Sequence, residues 1–422
     1  MLFILESYSR LMRTSTAVLV VALFVLLVGG GFYAFAETSG SGTLSERWVS
    51  DTSRNYQQNH HPMMATELEN ETIIVAPINE LSTIEGVTDT SCALVWLDPS
   101  NGDAERQAGL PAENCTNHAL TEPAIDDIDG DGTPEVLSAT GDQRLVAHDA
   151  DTGAERWRHP TTSLGYSKPA TANLLPGDGK EVVVVDLQGG LFVVRSNGTT
   201  AWDRNHDSST WADPQIADFD GDGDPEIAVG TGDAIYLYEA DGELLWEKDI
   251  SAQFLVTGQA DDGKAPELFV ASNDDVVALD GDDGGTIWSR SLDTISKMHS
   301  VGDGDGDGTD EVYLGLSGGT VQALDASDGT DEWSTQFPGE NRIMPPPTLG
   351  DIGGDRSPEL VVGTQEGVVY VLDPSSGEQL ATYERETPIW TYPVLADIDE
   401  DPGSEILIMY GDGRVAALSF EG

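Results

Sequence analysis

The chain has 422 residues and is strongly acidic, with 75 Asp plus Glu against 20 Lys plus Arg and a formal charge of −55. The acidity runs along the whole length, and no basic patch or stripe exists to neutralise phosphates, which argues against nucleic acid as a partner. Such a surface suits molar salt, where screening lengths of about 3 Å remove the self-repulsion.

Residues 1–16 carry Arg10 and Arg13 and precede an almost uninterrupted apolar stretch over residues 17–36. That stretch is long enough to cross the ~30 Å hydrocarbon core as a helix. The basic flank before it and the acidic residues after it put residues 1–16 in the cytoplasm and the remainder outside. Ala34-Phe35-Ala36 also fits a signal-peptidase site. Two outcomes therefore stay open: a single-pass anchor in the cell membrane, or a secreted protein cleaved after Ala36. Residues 37–43, with Ser39-Gly40-Ser41-Gly42, read as a flexible linker.

From residue 44 to 422 the chain repeats. Acidic loops at Asp127–Glu135, Asp218–Glu226, Asp303–Glu311 and Asp397–Glu405 alternate with degenerate versions at Asn173–Glu181, Gln259–Glu267 and Asp351–Glu359. Their first positions step by 41 to 48 residues, the period of a propeller or an array. Residues 214–246 show one repeat whole: PQIAD, the acidic loop, EIAVGT, a turn at Gly232-Asp233, IYLYE, a second turn and LLWEKD. Four short strands per repeat make one blade. A Trp recurs at a fixed place on the last strand, where a large flat ring packs against the neighbouring blade.

The chain ends after the third strand of its last blade. Leu44-Ser45-Glu46-Arg47-Trp48 mirrors the blade ending Gly153-Ala154-Glu155-Arg156-Trp157, so residues 44–50 are predicted to supply the missing outer strand and leave no free sheet edge. The fold class is thus all-β, an eight-bladed β-propeller over residues 44–422 behind an N-terminal transmembrane helix or signal segment. In the first blade Glu67–Glu71 is too short for an acidic loop, and an insertion falls near residues 77–91. Cys92 starts that blade's third strand and Cys115 lies in the next inter-blade connection, so the two are expected to form a disulfide in an exported protein. Asn70, Asn114 and Asn197 head glycosylation sequons.

The four regular loops place carboxylates at positions 1, 3, 5 and 9: Asp127, Asp129, Asp131 and Glu135; Asp218, Asp220, Asp222 and Glu226; Asp303, Asp305, Asp307 and Glu311; Asp397, Asp399, Asp401 and Glu405. Alternate residues of a tight Gly-containing loop point oxygens inward, and a Glu at the last position can close the shell with two more, as calcium's six to eight oxygen ligands require. The fourth loop departs by carrying Glu400 and Pro402. Asp351, Asp355 and Glu359 form a partial set, with Gly353 where a ligand is expected. These loops join first and second strands, opposite the face where propellers open a ligand funnel, so calcium here is expected to be structural.

The inter-blade connections reach the funnel. They bring His60, His61, Glu122, Tyr166, Lys168, Trp211, Asp213, Lys297, His299, Arg342, Trp390 and Tyr392 to one mouth, although cations and aromatics are scarce in this chain. A binding site and a water-filled, unspecific mouth both fit this pattern. His60 and His61 are not expected to share a metal, because adjacent side chains on a strand point to opposite faces.

The Asp-x-x-x-Gly-x-x-x-Trp endings, such as Asp149–Trp157 and Asp325–Trp333, resemble the PQQ-like repeats of quinoprotein-type eight-bladed propellers. The acidic loops resemble the FG-GAP calcium loops of integrin alpha propellers, and the even, Lys-poor acidity resembles haloarchaeal surface proteins. Both repeat families host enzymes, scaffolds and adhesion modules. The resemblance implies the fold and the metal loops; taken with the N-terminal segment and the mouth, the first reading is a non-enzymatic, membrane-anchored extracellular propeller, stiffened by calcium, that binds an envelope protein or glycan. A PQQ-dependent dehydrogenase is the alternative, although the adjacent-cysteine pair common in that family is absent. A polysaccharide-acting enzyme would need paired carboxylates, for which the mouth offers Glu122 and Asp213.

Overall fold

The repeats fold into eight four-stranded antiparallel sheets, each built from consecutive strands except the last. This computed structural model describes residues 42–54, 59–68, 71–80, 91–115, 118–261, 263–292, 295–338, 344–399 and 402–422. The apolar segment 17–36, residues 1–16 and most of the linker lie outside the described residues, within which no helix is long and apolar enough to cross a membrane.

Each blade grades from a buried middle to an exposed rim. In the fourth, β14 (Gln215–Ala217) lines the centre, β15 (Glu226–Gly230) is wholly buried, and β17 (Leu244–Lys248) is largely exposed. The continuous apolar runs of the second strands, such as Val182–Val185, follow from burial on both faces by neighbouring blades. The innermost strands touch in succession, and β2 (Met64–Leu68) meets both β6 (Ala124–Asp126) and β30 (Val394–Ala396), which closes the circle.

Closure follows the sequence reading. β1 (Thr43–Val49) pairs antiparallel with β32 (Val415–Glu421), with Leu44 opposite Phe420 and Trp48 opposite Ala417, and β31 (Glu405–Met409) lies between β32 and β30, so the last sheet runs β1-β32-β31-β30. The insertion in the first blade begins later than expected. Pro77–Glu80 remain in β3 (Glu71–Glu80) and pair with Ser91–Leu94, so the extra residues lengthen a hairpin whose tip, residues 81–90, lies outside the described residues.

One contact repeats between blades. The indole of an outer strand lies on the glycine of the next blade's turn and donates Nε1–H to a carbonyl there: Trp48 to Pro99 at 2.7 Å, Trp202 to Ala240 at 2.8 Å, Trp288 to Ala326 at 2.7 Å and Trp333 to Pro374 at 2.6 Å. A Cβ on Gly102 would stand 2.3 Å from the Trp48 ring, and its φ of +74° excludes most side chains besides. In the first blade Arg106 takes the Trp position and its guanidinium bonds Ala150 O at 2.8 Å, the same contact in another chemistry.

Every blade also slips register between its third and fourth strands, one residue before that Trp position. Ala147 pairs with Trp157 but His148 pairs with Glu155, which leaves Arg156 as a bulge. Arg47, Leu245 and Glu332 are the corresponding bulged residues of three other blades.

Closure makes the stability of the ring depend on β1. Trp48→Ala is expected to cost about 3–5 kcal/mol in urea unfolding, as for other buried large-to-small changes. Deleting residues 43–49 should cost more and broaden the transition. A Trp48→Ala midpoint equal to wild type would show that β1 does not hold the last blade.

Candidate functional site

The acidic loops and the mouth lie at opposite ends of the strands. Each loop is shaped by its own carboxylates. Asp127 accepts from Gly130 N at 2.8 Å and Gly132 N at 3.0 Å, and Asp303 does the same for Gly306 and Gly308 at 2.7 and 3.1 Å. Position 6 is left-handed where glycine holds it, at Gly132, Gly223 and Gly308, and also at Arg356, with φ 75°.

The position-9 Glu is buried in all seven loops, regular and degenerate. One of its oxygens is spent on the loop backbone: Glu226 Oε2 accepts Phe219 N–H at 2.7 Å, Glu311 Oε2 accepts Gly304 N–H at 2.8 Å, and Glu135 and Glu405 repeat the bond. Glu226 Oε1, Glu311 Oε1 and Asp218 Oδ1 are buried with no hydrogen-bond partner. Orphaned buried carboxylate oxygens demand a partner, and with first- and third-position carboxylate oxygens within 4.8 Å of them a hard cation fits. Without one, burial pushes Glu135, Glu226 and Glu311 up to about 7.

The four loops are not equivalent. The bulge aims Arg156 into the first, where its guanidinium lies 3.1 Å from Asp129, 3.1 Å from Asp131 and 2.9 Å from Glu135 Oε1. The last contact is a close ion pair that lacks hydrogen-bond alignment, since Glu135 Oε1 counts among the unbonded buried oxygens. Arg47 pairs with Asp399 in the fourth loop in the same way. The bulge residue is Leu245 in the second and Glu332 in the third, where it adds repulsion from Asp305 and Asp307. Asp401 lies outside the described residues.

At the other end, a cavity of about 600 Å³ is lined by His60, His61, Glu122, Tyr166, Lys168, Trp211, Asp213, Lys297, His299 and Tyr392, which the sequence placed there, together with Met298, Phe254 and Gln215. Trp390 lines an adjoining cavity of about 250 Å³ with His60 and Lys297, and Arg342 lies outside the described residues. Glu122 is clamped. Lys168 Nζ sits 3.0 Å from its Oε1, and the Tyr392 hydroxyl donates to Oε2. The backbone N–H of Lys168 donates to Asp213 at 2.7 Å. Burial, reinforced by the Glu122 charge, raises the Asp213 carboxyl to about 7. Burial opposes the Lys168 charge, but Glu122 more than offsets it. Among the described residues Lys297 has no such counter-ion: burial lowers it while its Nζ donates to Trp390 O at 3.1 Å. His299 stacks on Tyr392 with centroids 3.8 Å apart, and Trp211 remains 42% exposed.

His118 joins this mouth from the connection that also carries Glu122, and sequence counting missed it. His118 stands six residues before the inner strand that starts at Ala124, whereas Tyr166, Trp211 and Trp390 stand four before theirs at Ala170, Gln215 and Val394. His60 and His61 lie before β2, in irregular chain, so the opposite-face argument fails and both rings meet His118. Cys92 and Cys115 form the expected disulfide, with Cα atoms 5.4 Å apart. Of the sequons, Asn197 sits exposed in a turn, the Asn114 amide is bonded to Asp142 at 3.2 Å, and Asn70 lies outside the described residues.

Residues 195–356 match the PQQ_2 family, described as outer membrane protein assembly factor BamB. No curated protein matches the chain. Among solved structures, BamB from Moraxella catarrhalis is 18% identical with a TM-score of 0.59, and the match covers 89% of this chain and 97% of that one. The V. cholerae biofilm matrix protein Bap1 is 12% identical at 0.65, covering 90% of each chain. The quinohemoprotein alcohol dehydrogenase ADHIIG from Pseudomonas putida HK5 is 12% identical at 0.64, covering 89% of this chain and 76% of that one. Likeness at these identities speaks to fold alone. The chain is an eight-bladed β-propeller whose residues 195–356 match a PQQ-like repeat family.

Two outcomes follow from the charges. If Arg156 competes with a cation, Arg156→Ala should tighten calcium binding at the first loop by at least about tenfold, or ~1.4 kcal/mol; an unchanged calorimetric titration would count against competition. Asp213 holds its proton up to about pH 7 when folded but only to about 3.8 when unfolded. Its contribution to stability therefore falls as pH rises through that window. Relative to wild type, Asp213→Asn should gain about 1–3 kcal/mol between roughly pH 4 and pH 8. A pH-independent difference between the two proteins would refute the shift.

Proposed function

We propose that this protein is an extracytoplasmic, membrane-anchored propeller whose acidic loops hold structural calcium and whose mouth binds an envelope protein or glycan without turnover. The observation that carries the reading is the mouth. In a chain of net charge −55 it gathers two lysines, three histidines and four aromatic rings around one cavity, with His118 bonded to His60 beside them. An exposed Trp211 braced edge-on by Tyr166, at 4.9 Å, is the kind of aromatic anchor that carries binding energy. The likeness of residues 195–356 to a family described as an assembly factor supports a protein partner, and the apolar run over residues 17–36 supports the anchor. The orphaned oxygens of Glu226, Glu311 and Asp218 support calcium.

Enzyme readings draw less support from the residues. Glu122 is tied up by Lys168 and Tyr392, a poor state for a sugar-cleaving acid. The two cysteines are consumed in a disulfide away from the mouth.

The test uses the full chain in molar salt with calcium. Immobilised wild type is expected to retain solubilised envelope proteins or released envelope polysaccharide, and Trp211→Ala to lose at least about tenfold in retention, a hot-spot effect, while its melting is unchanged. Equal retention by both proteins would reject the mouth as the recognition surface. Oxidation of an alcohol or aldose on addition of PQQ, calcium and an artificial acceptor, abolished by Lys168→Ala, would instead establish the dehydrogenase reading.

A further inference from the structure

Three of the chain's seven histidines meet at the rim of the mouth although they come from two separate inter-blade connections. One ring nitrogen from each of His60, His61 and His118 lies within 4.8 Å of the other two. His60 Nε2 is 2.9 Å, and His61 Nε2 3.4 Å, from the same atom, His118 Nδ1. A nitrogen of a neutral imidazole is either one donor or one acceptor. His118 Nδ1 therefore cannot satisfy both neighbours by hydrogen bonding, and a cation is the partner that uses all three lone pairs at once. A tetrahedral ion with metal–nitrogen bonds of about 2.0–2.1 Å sets its ligand nitrogens about 3.3 Å apart, a value that the two observed separations straddle.

We infer that His60, His61 and His118 form a binding site for a transition-metal dication of the zinc, copper or nickel class, with its fourth position open to the mouth. Imidazole suits these ions, whereas calcium prefers oxygen, so the two ends of the propeller would select different metals. His60 and His61 both line the main cavity. Three protein nitrogens with one position left over is the arrangement that holds an exchangeable water or the donor atom of an incoming molecule. The rings are held from behind. Tyr166 packs on His61 and His118 with centroids 5.4 and 5.1 Å away, and the Cys92–Cys115 disulfide pins the connection that carries His118. This inference goes beyond the scaffold reading and stands without it, because a metal here requires no partner.

The experiment uses tag-free full chain, stripped with chelator and returned to excess calcium in molar salt, with Co²⁺ as the spectroscopic probe. One equivalent of Co²⁺ is expected to give ligand-field bands of a low-coordinate, nitrogen-ligated ion, displaced by Zn²⁺ and untouched by further calcium. His118→Ala and His61→Gln should each weaken binding by more than the about 10–100-fold that second-shell changes cost, and His206→Ala, outside the mouth, should leave it intact. Melting curves establish that the variants fold. Lack of bands in wild type, their loss to excess calcium, or their survival in folded His118→Ala or His61→Gln overturns the assignment.

Discussion

The structure depends on an indole lying over a glycine. Outer-strand Trp rings cover the turn of the following blade, and five of them, Trp48, Trp202, Trp246, Trp288 and Trp333, give their N–H to a carbonyl there, so those blades are joined by a directional bond inside an apolar contact. The contact accounts for both halves of the Asp-x-x-x-Gly-x-x-x-Trp pattern: the glycine because no Cβ fits beneath the ring, the Trp because its ring covers the turn and its N–H reaches the carbonyl. Only a blade completed by β1 can present Trp48 to Gly102, and so the first strand of the described chain closes the last sheet. Where Arg106 replaces the indole, the carbonyl bond survives.

The same contact organises charge. The register slip next to the Trp position turns out one residue per blade, and in two blades that residue is an arginine that reaches its own acidic loop. Packing between blades and neutralisation within a blade are thus served by adjacent residues. At the far end of the strands the chain concentrates scarce cations instead. Lys168 is kept charged by Glu122, while Lys297, without a carboxylate partner among the described residues, is pushed toward neutrality by burial.

The repeat, the strand count, the closing strand and the disulfide could all be read from residues because each rests on a short pattern at fixed spacing. The mouth was legible for a related reason: inter-blade connections always arrive there, and ten of the residues read from them line the main cavity. What could not be read depends on backbone irregularity. His118 was hidden because it stands further back from its inner strand than the residues read in the other connections. The two-strand bulges that aim Arg156 and Arg47 leave no mark in a pattern that treats Glu155-Arg156-Trp157 as plain strand. In the sixth blade two further slips, between Ile295 and Lys297 and between Met298 and Val301, re-aim the inner strand that carries Lys297 and His299.

The buried position-9 glutamates show why charge had to be arranged this way. An apolar residue there would leave the position-2 N–H buried and unpaired, a loss of about 1–3 kcal/mol at each loop, so an acceptor is required even in loops that lack the other carboxylates. A glutamate supplies it but brings a second oxygen and a negative charge into a desolvated place. Arg156, Arg195 and Arg47 answer that charge for Glu135, Glu181 and Glu405. Among the described residues no basic side chain answers it for Glu226 or Glu311, and there the bulged neighbour is Leu245 or Glu332. Those two loops are left with a proton or a cation as the remaining means of neutralisation. At neutral pH and above, a proton is held too weakly by a carboxyl near 7, so a cation bound at the second or third loop would be the main compensation and would couple to folding there.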